Sequence, residues 1–453
     1  MLYRKITSKI EGYLRSGSNK MLVVDGARQV GKSYIIRYVG EKMFANFIEI
    51  NMELDKQKDR IFEKVFSVED FLLALSSVAG NKMESKENTL IFIDEIQAYD
   101  HLLTLTKFLM EDGRFTYIAS GSQLGIALRK AQSVPIGSLQ IERMYPLDFE
   151  EFIIANGVGN LFMEDMRDRF SKQLPLDDAI HNKMMDLFRK YLLVGGMPDA
   201  VNTFLSEYNL VSVRKVHQNI RQLYKQDAAK YEESFSKKLL VQRIYDLIPS
   251  NLENKKKRVV AKSIEEQKGK RMGNYQEEFE YLISSGIALD VLAVSKPTYP
   301  LSESSTKNLL KLYLNDVGIL TSILYRNNLQ PIMQDECSVN LGSVYENVIA
   351  QELKAHGFSL HYYDNKKRGE VDYLVDNADT TSILPIEVKS GKDYWIHSAL
   401  DGFIHNSDYD VRQGIVLSNE KDVFEKDGIT YFPIYYSMFL CPCQNDRAEY
   451  IEI

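Results

Sequence analysis

Three observations predict an α/β chain in three parts. A glycine-rich turn joins an apolar strand to a helix near the start, a long helical stretch fills the middle, and mixed strands and helices return from about Gly342. The early strands are β-branched and aromatic runs at Met21 to Val24, Phe47 to Ile50, Thr89 to Ile93 and Phe115 to Ala119. Helical patterns such as Val68 to Ala79 and Leu102 to Met110 separate them. This alternation predicts a parallel sheet covered on both faces, because each crossover between parallel strands needs a helix. From about Pro146 to Ile332 apolar residues recur three and four apart, at Phe149 to Ile154, His181 to Leu193, Val211 to Tyr231 and Gln276 to Ser285. Ala288 to Val294, followed by Pro297 and Pro300, then reads as the hairpin wing of a winged-helix module. The expected domains are residues 1–155, 156–335 and 336–453.

The first turn carries the clearest chemistry. Gly26, Ala27, Arg28, Gln29, Val30, Gly31, Lys32 and Ser33 complete G-x-x-x-x-G-K-[ST] directly behind the strand. Glycines let the backbone curl so that successive N–H groups point at phosphates, and the following helix adds its positive end. Lys32 supplies a point charge and Ser33 a hydroxyl ligand for Mg²⁺. These residues predict a P-loop NTPase domain that binds ATP.

The run Thr89 to Ile93 ends in Asp94 and Glu95, as a central strand delivers carboxylates to the edge of a parallel sheet. Asp94 is the expected holder of Mg²⁺, and Glu95 the base that orients and deprotonates the attacking water. Phe115 to Ala119 leads into Ser120-Gly121-Ser122, where Ser122 is the candidate to sense the γ-phosphate; a plain turn fits the same residues.

Composition narrows the class. Among 453 residues, 44% are hydrophobic and 26% charged, ordinary values for a folded chain. No apolar run nears the ~18 residues that span a bilayer, and the first residues lack the core of a signal peptide, so a cytoplasmic protein without membrane contact is expected. Cys337, Cys441 and Cys443 make neither a disulfide framework nor a zinc site. The formal charge of −7 gives no global attraction to nucleic acid, leaving local patches to supply any.

Motifs along nearly the whole chain carry a resemblance. They are Gly26 to Ser33, Asp94-Glu95-Ile96-Gln97, Ser120-Gly121-Ser122, Tyr145 to Phe152, Gly195-Gly196-Met197-Pro198, Leu312 to Gly318 and Ile386 to Gly391. In these the chain resembles the bacterial and archaeal AAA-type ATPases whose C-terminal region was long labelled a domain of unknown function. The resemblance implies an AAA-like ATPase core, a winged-helix middle and a restriction-endonuclease-like end. Gly195 to Pro198 also resembles the Gly-x-Pro sensor of signalling ATPases, which makes Pro198 a candidate nucleotide contact; a helix-bounding turn explains the same residues. One departure is that many relatives have Gly-Arg where this chain has Gly137-Ser138. Arg129, Arg143 or a partner must then supply transition-state charge, and slow basal hydrolysis is expected.

Near the end, Glu370 to Val375 reads as a strand bearing Asp372, and Pro385 to Lys389 as one bearing Glu387 and Lys389 on one face. A helix upstream presents Glu346. This is the PD-(D/E)xK arrangement that the resemblance also implies. Asp372 and Glu387 are the candidate ligands of a catalytic Mg²⁺, Glu346 an outer ligand, and Lys389 the group that positions or activates water. Such a fold also persists as a binding module without cleavage.

Two basic runs are candidate contacts for DNA or RNA: Lys255, Lys256, Lys257 and Arg258 with Lys262, Lys268, Lys270 and Arg271, and Lys366, Lys367 and Arg368 with Lys389 and Lys392. Solvated faces explain them equally. The expected function is an ATP-binding and hydrolysing switch that governs a nuclease-like domain acting on nucleic acid. The alternative is a regulatory ATPase scaffold whose inactive nuclease-like domain binds nucleic acid or protein. An activating protein partner or a homo-oligomer completes the candidate partners.

Overall fold

A computed structural model describes residues 1–130, 136–231, 235–265, 270–325, 332–333, 341–391 and 393–442. Cys337, Cys443, Lys268 and Lys392 lie outside the described residues, as does the side chain of Arg129. The chain divides into two compact units: Met1–Tyr145 with Glu280–Ile287, and Pro146–Phe279 with Ala288–Ile453.

The first unit holds five strands: β1 (Met21–Asp25), β2 (Asn46–Asn51), β3 (Thr89–Asp94), β4 (Thr116–Gly121) and β5 (Leu139–Arg143). They lie in the order β2-β3-β4-β1-β5, every pairing parallel. All residues of β1 and β3 are buried, as a sheet covered on both faces requires. The register pairs Asn51 with Asp94 and Asp25 with Gly121, so the strands end level and the turns leaving them gather at one edge. Phe71 and Leu75, from the helix Val68–Ala79, join Leu103, Ile91 and Tyr117 in the core. Ser67 starts that helix by accepting the Asp70 N–H at 3.1 Å, a cap worth about 1 kcal/mol.

The second unit has eight strands: β6 (Ala288–Val294), β7 (Ser305–Leu314), β8 (His361–Asn365), β9 (Gly369–Asn377), β10 (Ser382–Val388), β11 (Gly414–Ser418), β12 (Phe424–Lys426) and β13 (Ile429–Pro433). Their order is β12-β13-β11-β10-β9-β8-β6-β7. Here the expected winged hairpin takes another form. β6 pairs antiparallel with β7, but it also pairs in parallel with β8 through Leu292 and His361. The hairpin is thus the edge of the C-terminal sheet, and the boundary expected near residue 335 separates no two sheets. The reason lies in β6 itself: Leu289, Val291 and Ala293 are buried on one face and Ala288 and Val294 on the other, more burial than two isolated strands provide.

The helices of this unit meet at a junction that two of the sequence motifs build together. A Cβ on Gly195 (φ 68°) would sit 2.3 Å from Asp316 Oδ1, and one on Gly318 would sit 2.6 Å from the Val194 carbonyl oxygen. Asp316 accepts the Gly196 N–H at 2.6 Å and the Ile319 N–H at 2.9 Å, capping the helix Val317–Leu324. Pro198 takes the first position of the helix Pro198–Glu207, where a missing N–H costs nothing.

Candidate functional site

The turn after β1 is wound by three residues of positive φ: Gly26 (150°), Gln29 (68°) and Gly31 (97°). A Cβ on Gly26 would lie 2.2 Å from the Met144 carbonyl oxygen, so only glycine fits. Lys32 opens the helix Lys32–Met43, is buried, and donates to the carbonyls of Gly26 at 2.8 Å and Ala27 at 2.9 Å. Burial pushes its ammonium below the ordinary value, while Glu95, Asp25 and Asp94 push it up. Arg4 braces the far side, donating to Val30 O at 2.9 Å and Tyr145 O at 2.6 Å.

The carboxylates gather opposite. Ser33 Oγ donates to Asp94 Oδ1 at 3.0 Å, Asn51 Nδ2 to Asp94 Oδ2 at 2.9 Å, and Ser120 Oγ to Asp94 Oδ1. Glu95 stands in the left-handed region (φ 52°), an orientation that turns its side chain toward Gln97 and Ser122, both of which donate to Oε2. Burial raises the Glu95 carboxyl, but Lys32 and these two donors outweigh it and leave its pKa below the ordinary carboxylate value. Asp94 moves the other way, raised chiefly by burial against the pull of its three donors. The Ser33–Asp94 pair beside a positive-φ loop suits a Mg²⁺–nucleotide: Ser33 and Asp94 would hold the ion, Gly26 to Lys32 the phosphates. Sequence reading missed Arg4, Asn51 and Gln97. The DEIQ motif carried a signal for Gln97, but a lone polar residue at the end of β2 carried none for Asn51.

Residues 280–287 complete this site within the first unit. Gly286 (φ 74°) lies against the loop, where a Cβ would be 3.1 Å from the Ala27 nitrogen. Arg143 donates to Ile283 O at 2.7 Å, and Gln123 to the Tyr281 hydroxyl at 3.0 Å. The Arg143 guanidinium is therefore held by this segment.

The second unit assembles the other expected constellation and enlarges it. Asp372 on β9 accepts the Val388 N–H at 2.9 Å, and Glu387 Oε1 accepts from Lys389 Nζ at 2.8 Å. Glu346, from the helix Gly342–Ala355, accepts from Tyr313 at 2.9 Å and from Lys257. Lys311, fully buried on β7, pairs with Glu370 and lies 4.6 Å from the centre of the Tyr362 ring. Burial first, then repulsion from Glu387 and Glu346, pushes the Asp372 carboxyl well above its ordinary value, against the pull of Lys311 and Lys257. Among the described residues no group of three or more His, Cys, Asp or Glu side chains is set to hold a metal ion. As they stand, the carboxylates fit ammonium partners rather than a divalent ion. Lys257 and Lys311 were not foreseen as members; Lys311, a lone cation between Leu310 and Leu312, was the legible hint.

Comparison with known proteins bears on each part. Residues 18–153 match the model of an AAA domain. The first unit is thus an AAA-type, ATP-binding P-loop domain. Residues 185–330 and 341–436 match two families described only as domains of unknown function, DUF8612 and DUF4143. No curated protein matches. Among solved structures, the chain is similar to the Walker-type ATPase of Pyrococcus abyssi (14% identity, 72% of this chain and 96% of that one, TM-score 0.43). It is also similar to the Aeropyrum pernix ORC2 protein (13%, 75% and 96%, 0.39) and the Thermotoga maritima RuvB Holliday junction branch migration motor (14%, 63% and 89%, 0.27).

Outside the AAA domain the basic runs divide. Lys255 and Lys256 are exposed, whereas Lys257 turns in to Glu346 and Arg258 pairs with Asp364 at 3.0 Å. The run is not the continuous phosphate-facing stripe that its sequence suggests. Lys366, Lys367 and Arg368 are exposed at the β8–β9 turn. Pro198 belongs to the second unit, and the phosphate loop to the first. Among the described residues no helix is long and apolar enough to cross a membrane.

Proposed function

We propose that the chain is an ATP-hydrolysing switch whose nucleotide state governs the second unit, and that the cluster around Asp372, Glu387 and Lys389 is a nuclease-like site meeting DNA or RNA. The observation that carries the switch is the segment 280–287: it rests on the phosphate loop through Gly286 and on Arg143 through Ile283, and it continues the helix Gln276–Ser284, whose first residues belong to the second unit. In this reading, Lys32 exchanges its two carbonyl partners for phosphate oxygens. Glu95, held ionised by Lys32, Gln97 and Ser122, takes a proton from the attacking water. Mg²⁺, held by Ser33 and Asp94, would offset phosphate charge. With Arg143 held on Ile283 and Gly137-Ser138 lacking the relatives' arginine, basal turnover is slow and an added partner raises it.

A second reading has its own support. The ammonium groups already paired with Glu346, Glu370 and Glu387 suit a regulatory scaffold whose nuclease-like fold binds without cutting. Steady-state ATP turnover and cleavage of mixed DNA and RNA substrates, each measured with Mg²⁺ or Mn²⁺ and with or without ATP, separate the two. Cleavage lost in Asp372→Ala supports the first reading; ATP turnover with no cleavage in any nucleotide state supports the second. Fast turnover unaffected by protein concentration or nucleic acid would remove the case for an activating partner.

A further inference from the structure

Lys257 occupies an unusual position. It lies in the connector between the helices Phe235–Glu253 and Ala261–Ile264, after exposed Asn254, Lys255 and Lys256. Its backbone sits in the left-handed region (φ 50°), which costs a residue with a Cβ about 1 kcal/mol and reverses the direction of its side chain. While its two lysine neighbours face solvent, its Nζ reaches Oε1 of Glu346, a carboxylate 5% exposed. Val259 N–H on Leu310 O at 3.0 Å and the Arg258–Asp364 pair fix the connector just beyond it. The cluster it enters has four carboxylates (Glu346, Glu370, Asp372, Glu387) against three ammonium groups (Lys257, Lys311, Lys389). One formal negative charge is left, and Glu387 Oε2 is buried without a hydrogen-bond partner.

Lys311 and Lys389 are fixed on or beside strands, whereas Lys257 comes from a loop. Without it the surplus becomes two negative charges, the charge of one divalent cation. Glu346 Oε1 would then join Asp372 and the unpartnered Glu387 Oε2 as hard oxygen donors, the ligand type that Mg²⁺ and Mn²⁺ prefer. We infer that Lys257 is an internal counter-cation that competes with a divalent metal ion for the acid cluster, so that the cluster takes the ion only when Lys257 leaves. This rests on the reading of Asp372 and Glu387 as a nuclease-like site, and it accounts for a complete carboxylate set that lacks the arrangement of a metal centre. Lys257 is in this sense a gate on the site, and its two exposed neighbours are not.

The test uses the full chain without nucleotide, in an Asp94→Asn background that silences metal binding in the AAA domain. Mn²⁺ binding is followed by the electron paramagnetic resonance of the free ion. Lys257→Met is expected to bind one Mn²⁺ at least tenfold more tightly than the background protein, and adding Asp372→Asn abolishes that gain. Because Lys257→Met could fail to fold, amine labelling read by mass spectrometry provides a measurement without it. In the metal-free protein, Lys257 is labelled far more slowly than Lys255 and Lys256, and millimolar Mn²⁺ speeds its labelling. Equal Mn²⁺ affinity with and without Lys257, or labelling of Lys257 as fast as its neighbours in the absence of metal, overturns the inference. Tight Mn²⁺ binding by Lys257→Met without any cleavage would leave the gate standing and remove the nuclease reading instead.

Discussion

The phosphate loop and the acid–lysine cluster both bring lysines toward carboxylates, but the lysines are held differently. Lys32 donates to two neutral carbonyls, with Glu95 and Asp94 near but bonded to other donors. Lys257, Lys311 and Lys389 each pair directly with a carboxylate. A cation resting on carbonyls can be drawn off by an incoming anion at little cost, whereas one already neutralised by a buried carboxylate cannot. The lysine of the first site rests on neutral carbonyls; in the second site each of the three ammonium groups is already paired with a carboxylate.

The largest expected effect sharpens the first half of that contrast. Glu95→Gln keeps nucleotide affinity and lowers ATP turnover by about 10²–10⁴-fold, because proton acceptance is lost while the donors around it remain. Lys32→Ala loses affinity itself, by about 100-fold or more, since the phosphates lose their only buried ammonium in the loop. Calorimetric titration with ATP beside a turnover assay distinguishes them, and equal affinity in Lys32→Ala would show that the lysine does not leave its carbonyls.

The second half is probed by Lys311→Met. Lys311 is fully buried but Glu370 is partly exposed, so removing the lysine leaves Glu370 some access to water and should destabilise the second unit by about 1–3 kcal/mol. Urea unfolding of wild type and variant measures this; a change under about 0.5 kcal/mol would mean that the cluster does not depend on this charge balance.

Acid sensitivity extends the comparison to the helix junction, where two buried groups oppose each other. Burial lowers the His217 imidazole from 6.5 to about 4, so stability is full above pH 6.5 and is lost as pH falls toward 4. Burial raises the Asp316 carboxyl from 3.8 to about 6 against its backbone donors, so stability is highest below pH 3.8 and declines as pH climbs toward 6. Each amounts to about 3 kcal/mol at ~1.4 kcal/mol per pH unit. His217→Gln, compared with wild type, should therefore make stability fall more steeply with rising pH between 4 and 6, and Asp316→Asn less steeply. Parallel stability–pH curves for wild type and both variants would remove the assignment.

The smallest effect concerns nucleic acid. If Lys255 and Lys256 contact duplex phosphates, replacing both by Ala should flatten the slope of log affinity against log salt by about 1.8, from ~0.9 per contact, while Lys257→Ala leaves the slope unchanged. A slope moved by Lys257 as much as by its neighbours would contradict its inward position.

The AAA domain was legible because its chemistry is local. Gly26 to Ser33 is one continuous turn, and Asp94-Glu95 ends a strand that periodicity finds unaided. Apolar spacing of three and four likewise located the helices at Val68, Phe149 and Val211, the last within one residue of its start at Leu210. What escaped were long-range partners. Whether Ala288 to Val294 forms a wing or a sheet edge depends on β8, some seventy residues later, and period-two burial reads the same in either case. Lys257 looked like its neighbours because a single left-handed backbone angle, which residue type does not announce, turns it inward. The glycines at 195, 196 and 318 were visible as motifs, but their reason, close approach to Asp316, Leu147 and Val194, exists only in three dimensions.

The broken connectivity of the first unit bears on how the protein is made. Met1–Tyr145 leaves the ribosome well before Glu280–Ile287, which supplies Gly286 against the phosphate loop and the carbonyl that holds Arg143. At ~5–20 residues per second, the intervening 134 residues take roughly 7–27 s to synthesise. During that interval the nascent AAA domain has its sheet and its loop but not the segment that braces them, and only the Pro146–Phe279 part of the second unit is threaded out before the first is closed. Nucleotide captured on the ribosome would act as a temporary splint, and a fragment ending at Tyr145 would be a translation intermediate rather than a finished domain.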